Sequence, residues 1–309
     1  MDFKQLHTFA VVARERSFTR ASGLLNYAQS SVSAQIQALE HELGTHLFDR
    51  IGRSVQLTEV GQKVLPLVHD LLQMESELRS IAKGGYEPSG TLVVGAPESL
   101  IAYRLPPALA VFHQRYPRVH LQFRADSCAE HRAALGRGEI DVALLLEQSA
   151  PPTGLAFQTL TPERIVLVAH PKITASNPSA STPSLIESAV LLFVEASKGG
   201  ASYREVFERQ TIQKGIRIQR FMEFASVEAV KQCAIAGLGI ALLPEMVVQQ
   251  ELDAGKLIRL PWNDLQIPTY LAWRDGRWMP QAAREWIKCV RAYAYRVCQS
   301  PEERLTYDI

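Results

Sequence analysis

Apolar residues recur at helical spacing along the first 43 positions of the chain. They predict a helix ending at about Glu15, a second starting after Ser17 as N-cap, and a third over about 29–43. Gly44 follows the third helix as a C-cap. The apolar positions are Phe3, Leu6, Ala10 and Ala13, then Ala21, Leu24 and Leu25, then Val32, Ile36, Leu39 and Leu43. Three short helices, two of them joined by a tight turn, predict a helix-turn-helix.

The polar face of the third helix is typical of a helix that reads DNA. Its side chains are short and able to hydrogen-bond base edges and phosphates. They are Gln29, Ser30, Ser31, Ser33 and Gln37, and the acidic Glu40 and Glu42 lie at the far end of the helix. The alternative is an ordinary solvated face, which more usually carries Lys and Glu. We predict that these polar residues bind DNA.

Residues 47–58 predict a two-stranded wing after the third helix. Short apolar strands flank Gly52, and Arg50 and Arg53 lie near the tip. Arginine at the tip of a β-turn can contact phosphates or enter a narrow minor groove. Both arginines are therefore candidates for DNA binding.

A narrow apolar stripe follows Thr58. Its members alternate at spacings of four and three residues: Val60, Val64, Leu67, Leu71, Met74, Leu78 and Ile81. This heptad pattern favours a helix that pairs with a partner helix, so we predict a dimerisation helix. The alternative is a core helix within one chain, which would more often show a wider stripe. Pro66 inside the stripe predicts a kink.

The pattern changes after the glycine-containing segment 83–90, which we interpret as a hinge. Beyond it, short apolar runs alternate with helical segments, as in α/β sheets that are covered on both faces. The predicted strands are Thr91–Gly95, Val119–Phe123, Ile140–Leu146, Ile165–Ala169, Val190–Val194, Ile216–Phe221, Ile240–Leu243 and Thr269–Trp273. The roughly 210 residues of this region fit two small lobes, with 171–184 as a surface loop.

Composition and charge narrow the classes of protein. Of the 309 residues, 47% are hydrophobic and 21% charged, which is typical of a folded globular chain. We expect no membrane span, because no apolar run approaches roughly 20 residues, and no export, because no basic stretch leads into an apolar core at the N-terminus. The net charge is +1, and residues 1–58 hold six Lys or Arg and five Asp or Glu, so charge alone does not indicate DNA binding.

Chemistry-bearing motifs are missing from the sequence. The four cysteines form no C-x-x-C pair and the eight histidines no ligand spacing, so we predict no metal, no cofactor and a reducing cytoplasm. There is no P-loop, no G-x-S-x-G and no H-E-x-x-H, and Gly237-Leu238-Gly239 lacks the third glycine of a dinucleotide fingerprint. An enzyme is therefore not expected.

The sequence strongly resembles the LysR-type family of bacterial transcriptional regulators. The stretches that carry the resemblance are "LHTFAVVARERSFTRASGLL", "QSSVSAQIQALEHELGTHLFDR", "VQLTEVGQKVL", "RLPPALAVFHQRYP", "GRGEIDVALL" and "AIAGLGIALLPE". They stand in the order and spacing of the family and cover essentially the whole chain. The N-terminal block is highly specific, and the C-terminal block is diffuse.

The resemblance implies an α+β protein with a winged helix-turn-helix at 1–58, a dimerisation helix and hinge at 59–90, and an effector-binding domain at 91–309. That domain is expected to be a two-lobed α/β unit similar to periplasmic binding proteins, with lobe I at about 91–161 and 267–309 and lobe II at about 162–266. Family members usually act as tetramers on promoter DNA, and we expect this chain to form a homodimer or homotetramer. A small-molecule effector alters their DNA bending and their contact with RNA polymerase.

The resemblance also assigns residues. Gln29, Ser30 and Ser33 match the recognition-helix positions, and Arg50 and Arg53 match the wing. Two departures weaken the match. Ala28 stands where the family commonly has a capping Ser or Thr, and Ala34 stands where many members have arginine, so we expect weaker or less salt-dependent DNA binding.

In the family the effector lies in the cleft between the lobes. The candidate residues here are Ser99, Leu100, Ser127, Cys128, Ser197, Lys198, Ser202 and Ser226. Glycine-rich backbone with Lys198, followed by Arg204, suits a small organic anion, although an ordinary solvated loop is the alternative. Two other hypotheses stay open: a solute-binding or catalytic module with N-terminal interaction helices, and an architectural DNA-binding protein without a ligand.

Overall fold

The computed structural model describes residues 1–51, 54–82, 87–175, 179–194 and 203–295. Its N-terminal part consists of α1 (Phe3–Glu15), α2 (Phe18–Leu25), α3 (Gln29–Leu43), β1 (Phe48–Ile51), β2 (Ser54–Leu57) and α4 (Glu59–Ala82). The three predicted short helices are confirmed. Their ends follow local chemistry, since Ser17 accepts a hydrogen bond from the Arg20 amide at 3.2 Å and Gly44 adopts a left-handed conformation.

The first half of α4 belongs to the core of the helix-turn-helix. Leu65 and Val68 are buried in the same apolar cluster as Phe9, Ile36 and Leu39. The helix continues through Pro66 over its 24 residues. The three short helices, the wing and the start of α4 therefore form one packed unit, which we call the DNA-binding unit (residues 1–68) after its predicted role.

The remaining chain forms one mixed sheet of eight strands in the order β4-β3-β5-β10-β6-β9-β7-β8. The strands are β3 (Gly90–Gly95), β4 (Val119–Arg124), β5 (Val142–Leu146), β6 (Leu155–Ala169), β7 (Leu191–Val194), β8 (Phe221–Phe224), β9 (Ile240–Pro244) and β10 (Ile258–Arg274). The helices are α5 (Glu98–Tyr103), α6 (Pro106–Arg115), α7 (Cys128–Arg137), α8 (Pro171–Ala175), α9 (Thr182–Ser188), α10 (Tyr203–Gln213), α11 (Val227–Ile235), α12 (Glu245–Asp253) and α13 (Gln281–Cys289), with a π-helical turn at Val290–Ala294.

Two lobes share this sheet. Lobe I packs β3, β4 and β5 around a cluster that contains Phe112 and Trp286, and lobe II packs β7, β8 and β9 around Phe193 and Phe207. Between them, β6 and β10 pair antiparallel from Ile258 with Ala169 to Arg274 with Leu155. Because both strands run through both lobes, they connect the lobes.

The structure corrects the predicted strands in two places. The prediction Ile216–Phe221 is wrong over 216–220, because β8 begins only at Phe221. Ile216 instead follows the C-terminal turn of α10: its amide donates to the Thr211 carbonyl and its side chain is buried in lobe II. The strands β6 and β10 are also far longer than predicted, since Pro162, Pro261 and Pro268 inside them resemble strand breakers in the sequence.

No helix in the described part of the chain is long and apolar enough to cross a membrane. Among those residues, no group of three or more His, Cys, Asp or Glu side chains is arranged to hold a metal ion.

Candidate DNA-binding face and effector cleft

The face of α3 that we predicted to bind DNA is available to solvent. Gln29, Ser30, Ser31 and Gln37 are exposed and Ser33 is half-buried. On the opposite side of the helix, Val32, Ile36 and Leu39 are buried in the core. The helix therefore presents short polar groups outward from a fixed apolar base, as insertion into a major groove requires.

Contacts at the middle and near the C-terminal end of α3 hold it in place. Thr8 of α1 donates a hydrogen bond to the Gln35 side chain at 2.6 Å. Glu40 accepts hydrogen bonds from the amides of Leu47 at 2.7 Å and Phe48 at 3.2 Å, so it fixes the start of the wing. Sequence reasoning missed this role of Glu40, because nothing in the local spacing shows which backbone its carboxylate meets. Ala28 provides no side-chain cap for α3.

The wing is confirmed as a two-stranded antiparallel hairpin, with Phe48 opposite Leu57. Arg50 pairs with Val55 in the ladder, but its side chain lies outside the described residues. Arg53 also lies outside them, so its part in DNA binding stays a prediction.

The predicted dimerisation stripe runs along the outside of α4. Val60, Leu67, Leu71, Met74 and Leu78 are exposed large apolar residues. Val64 is half-buried against the core of the DNA-binding unit, and the side chain of Ile81 lies outside the described residues. Burying such a row against a partner would remove its apolar surface from water.

The lobe I side of the predicted effector cleft is built from Ser99, Leu100, Ser127 and Cys128. Ser99 is 3% exposed, and Leu100 is enclosed in the apolar core of the lobe. Ser127 caps α7 by accepting from the Glu130 amide at 3.1 Å. The Cys128 sulfur contacts the Leu146 amide at 3.3 Å, and burial raises the pKa of its thiol to about 11. Cys128 is therefore protonated at neutral pH rather than a reactive thiolate.

Two side chains of lobe I reach lobe II across the cleft. The Glu98 carboxylate accepts hydrogen bonds from the Ser226 hydroxyl at 3.1 Å and from the Val227 amide at 3.0 Å. The Tyr103 hydroxyl donates to Glu228 at 2.8 Å and accepts from Lys231 at 3.0 Å. Sequence reasoning named Ser226 but missed these partners, because they lie more than 120 positions away.

The lobe II side of the predicted cleft is described only in part. Ser197, Lys198 and Ser202 lie outside the described residues. Arg204, which we expected to favour an anion, is instead held inside lobe II. Its guanidinium pairs with Glu208 at 2.7 Å and with Glu223, and it stacks 4.5 Å from the centre of the Phe193 ring. Its charge is thus neutralised within the lobe, which corrects that expectation.

A polar junction joins α4 to lobe I. His69 contacts the Gly138 carbonyl at 2.6 Å, and Gln73 donates to Asp141 at 2.6 Å. Asp70 forms a mostly buried ion pair with Arg274 at the end of β10. Burial lowers the pKa of His69, so its ring is neutral at pH 7 and Nδ1–H donates to the carbonyl. We call these contacts the α4–lobe I junction.

Comparison with known proteins agrees with both parts of this structure. A family model for the "LysR substrate binding domain" matches residues 86–294, and one for the "bacterial regulatory helix-turn-helix protein, lysR family" matches residues 3–62. YwqM of Bacillus subtilis (strain 168), an uncharacterized HTH-type transcriptional regulator, is 37% identical over 94% of this chain and 99% of its own length.

A further relative and a solved structure extend the comparison. YfiE of Escherichia coli (strain K12), another uncharacterized HTH-type transcriptional regulator, is 33% identical over 94% of this chain and 98% of its own length. The crystal structure of ArgP from Mycobacterium tuberculosis superposes with a TM-score of 0.77 at 21% identity, covering 95% of this chain and 97% of ArgP. At that identity the likeness shows the fold alone. The family models and the curated relatives show more: this chain belongs to the LysR family of HTH-type transcriptional regulators.

Proposed function

We propose that this protein binds a specific promoter DNA through α3 and the wing, as a homodimer or homotetramer, and that a small-molecule effector alters this binding or the contact with RNA polymerase. The observation that carries the proposal is the outward polar face of α3 on a packed helix-turn-helix. The exposed apolar row of α4 supports pairing of two chains.

DNA binding is tested by fluorescence anisotropy with the DNA upstream of the protein's own gene, against a scrambled competitor. We expect preferential binding, with a shallow slope of log affinity against log salt, because Ala34 stands where many family members have a basic side chain. A steep slope would contradict the expectation about Ala34. Equal, weak binding to both DNAs would contradict the proposed function.

A substitution in α3 tests whether that helix reads the sequence. Gln29→Ala should reduce the preference for the promoter DNA by roughly tenfold, the value of one good base contact. The matched control is Gln114→Ala, since Gln114 is an exposed glutamine on lobe I. A Gln29→Ala protein that selects its DNA as the control does would contradict the assignment of α3.

For the effector, we propose a small organic anion that binds between the lobes. The Ser226 hydroxyl and the Val227 amide support this chemistry, because both donate to the carboxylate of Glu98, which the carboxylate of an effector would have to displace. Succinate, 2-oxoglutarate and benzoate, each compared with its amide, can be screened by thermal shift against wild type and Ser226→Ala. A stabilisation by a carboxylate that is smaller in Ser226→Ala supports the proposal, and equal stabilisation by the amides contradicts it.

A further inference from the structure

The α4–lobe I junction is made from neighbouring positions on one helix. His69, Asp70 and Gln73 of α4 each contact a different part of lobe I. Their partners are the end of α7, the end of β10 and Asp141 just before β5. Contacts in three directions fix both the position and the rotation of α4 against the lobe.

Asp141 is held between the two bodies that meet at the junction. One of its oxygens accepts from Gln73 of α4 at 2.6 Å, and the other accepts from the Val93 amide of β3 at 2.8 Å. Hydrogen bonds to a carboxylate are directional and strong in a buried setting. A rotation of α4 relative to β3 would break one of them.

At Gly138, the backbones of α4 and lobe I approach closely. Gly138 ends α7 in a left-handed conformation (φ +69°), and a Cβ placed there would lie 3.1 Å from the Cα of Pro66. Only glycine permits this approach without strain. Displacement of the end of α7 must therefore push directly on α4.

The two ends of α7 lie at different functional places. It starts at Ser127 and Cys128, which we predicted to line the effector cleft, and it ends at Gly138 beside Pro66. Ten helical residues span about 15 Å as a stiff rod. At the far side of the junction, Leu65 and Val68 bind α4 into the core of the DNA-binding unit. A cleft of about 1070 Å³ lies between that unit, α4 and lobe I.

We infer that Gly138, Asp141 and Gln73 are positioning residues that convert a displacement of α7 at the effector cleft into a change in the angle of the DNA-binding unit. The inference rests on the proposed function, because an angle matters only if two such units engage two DNA half-sites. Bivalent binding loses its avidity when geometry prevents both units from docking at once. The junction therefore sets which half-site spacing the protein prefers.

The test compares two glycine variants on DNAs whose half-sites are separated by different numbers of base pairs. Gly138→Ala adds a methyl group against α4, whereas Gly255→Ala adds it in open space at a similar φ of +67°. Both carry the same backbone strain, so a fall in melting temperature common to both reports strain alone. A single half-site probe reports the DNA-binding unit by itself.

We expect Gly138→Ala to bind the single half-site as wild type does, but to shift or flatten the spacing preference, with about tenfold weaker binding at the wild-type optimum. Gly255→Ala should retain the wild-type profile. Identical profiles for the two variants would overturn the inference. Absence of any preference for promoter DNA in wild type would instead overturn the proposed function, so the two failures are distinguishable.

A second variant keeps the test open if Gly138→Ala does not fold. Gln73→Ala removes one hydrogen bond from a half-buried position and adds no strain. Relative to the control Gln114→Ala, Gln73→Ala should flatten the preference for one half-site spacing. The effect should be smaller than that of Gly138→Ala. A profile unchanged from that control would also overturn the inference.

Discussion

The helix α4 is attached to its two neighbours by opposite kinds of contact. Towards the helix-turn-helix it buries Leu65 and Val68 among apolar side chains, and towards lobe I it presents His69, Asp70 and Gln73 to polar partners. Apolar burial stabilises without fixing an angle, whereas hydrogen bonds and ion pairs depend on direction. The difference indicates that one attachment secures α4 and the other orients it.

The largest effect is expected on the apolar side. Leu65→Ala should lower the free energy of unfolding by about 3 kcal/mol, because it leaves a cavity in the core of the DNA-binding unit. Urea unfolding followed by circular dichroism measures the loss. Leu238→Ala is the control, since Leu238 is exposed on lobe II. A similar loss of unfolding free energy in both variants would show that Leu65 is not a core contact. It would contradict the difference between the apolar and polar attachments of α4.

On the polar side, Asp70→Asn should cost about 2 kcal/mol, because it leaves the largely buried Arg274 guanidinium without its charged partner. In contrast to Leu65→Ala, it should also alter the half-site spacing profile. The double variant Asp70→Arg with Arg274→Asp should recover part of both losses. If neither urea unfolding nor DNA spacing responds to Asp70→Asn, the ion pair does not orient α4.

The pH dependence of the free energy of unfolding should come from two histidines that are wholly or partly buried, one of which, His69, lies on the polar side of α4. Burial lowers the pKa of His69 and of His131, so the folded state binds fewer protons than the unfolded state at mildly acidic pH. Stability is therefore full above the unfolded pKa of about 6.5 and falls as the pH drops below it.

The charged groups around His69 are Asp141, Glu139 and Arg274, and the raised pKa of Asp141 acts in the opposite direction at lower pH. His69→Gln, which can still donate to the Gly138 carbonyl, should reduce the loss of stability between pH 7.5 and about 5.5. Urea titrations at several pH values measure it. An identical pH profile in wild type and variant would exclude His69 as a source.

The smallest effect is expected at the start of α3. Ala28→Ser should add a side-chain cap that the helix lacks and raise stability by about 1 kcal/mol. Ala38→Ser, at an exposed position inside the same helix, should lower it slightly. Thermal unfolding of the two variants separates capping from helix propensity. A destabilised Ala28→Ser would show that the serine does not reach the amides of the first turn.

The DNA-binding unit was far easier to predict than the contacts between domains. The boundaries of α1, α2 and α3 follow from spacing and caps that lie within a few residues of each other. Glu98, Asp141 and Arg274 gave no such signal. Each meets its partners across 48 or more positions of the chain, so its role depends on tertiary packing.

Arg204 shows that the sequence can also indicate a site that tertiary packing then excludes. A basic residue after a strand and a glycine-rich loop indicates an anion site in the sequence, yet Glu208, Glu223 and two phenylalanine rings enclose it. Of these neighbours, only Glu208 could be predicted from the sequence, because it lies four positions further along α10 on the same face of the helix. The remaining neighbours come together only when lobe II folds.

Lobe I is built from segments that are distant along the chain, and this affects the order in which the parts of the protein fold. Its sheet needs β10 and its core needs α13, whereas residues 1–68 complete the DNA-binding unit. Chains emerge from the ribosome with the N-terminal end first, and domains generally fold as units during synthesis. The synthesis of the DNA-binding unit is therefore complete about two hundred residues before that of lobe I, which we propose orients it. We expect a chain whose synthesis stops between these two points to compete for operator DNA without responding to the effector.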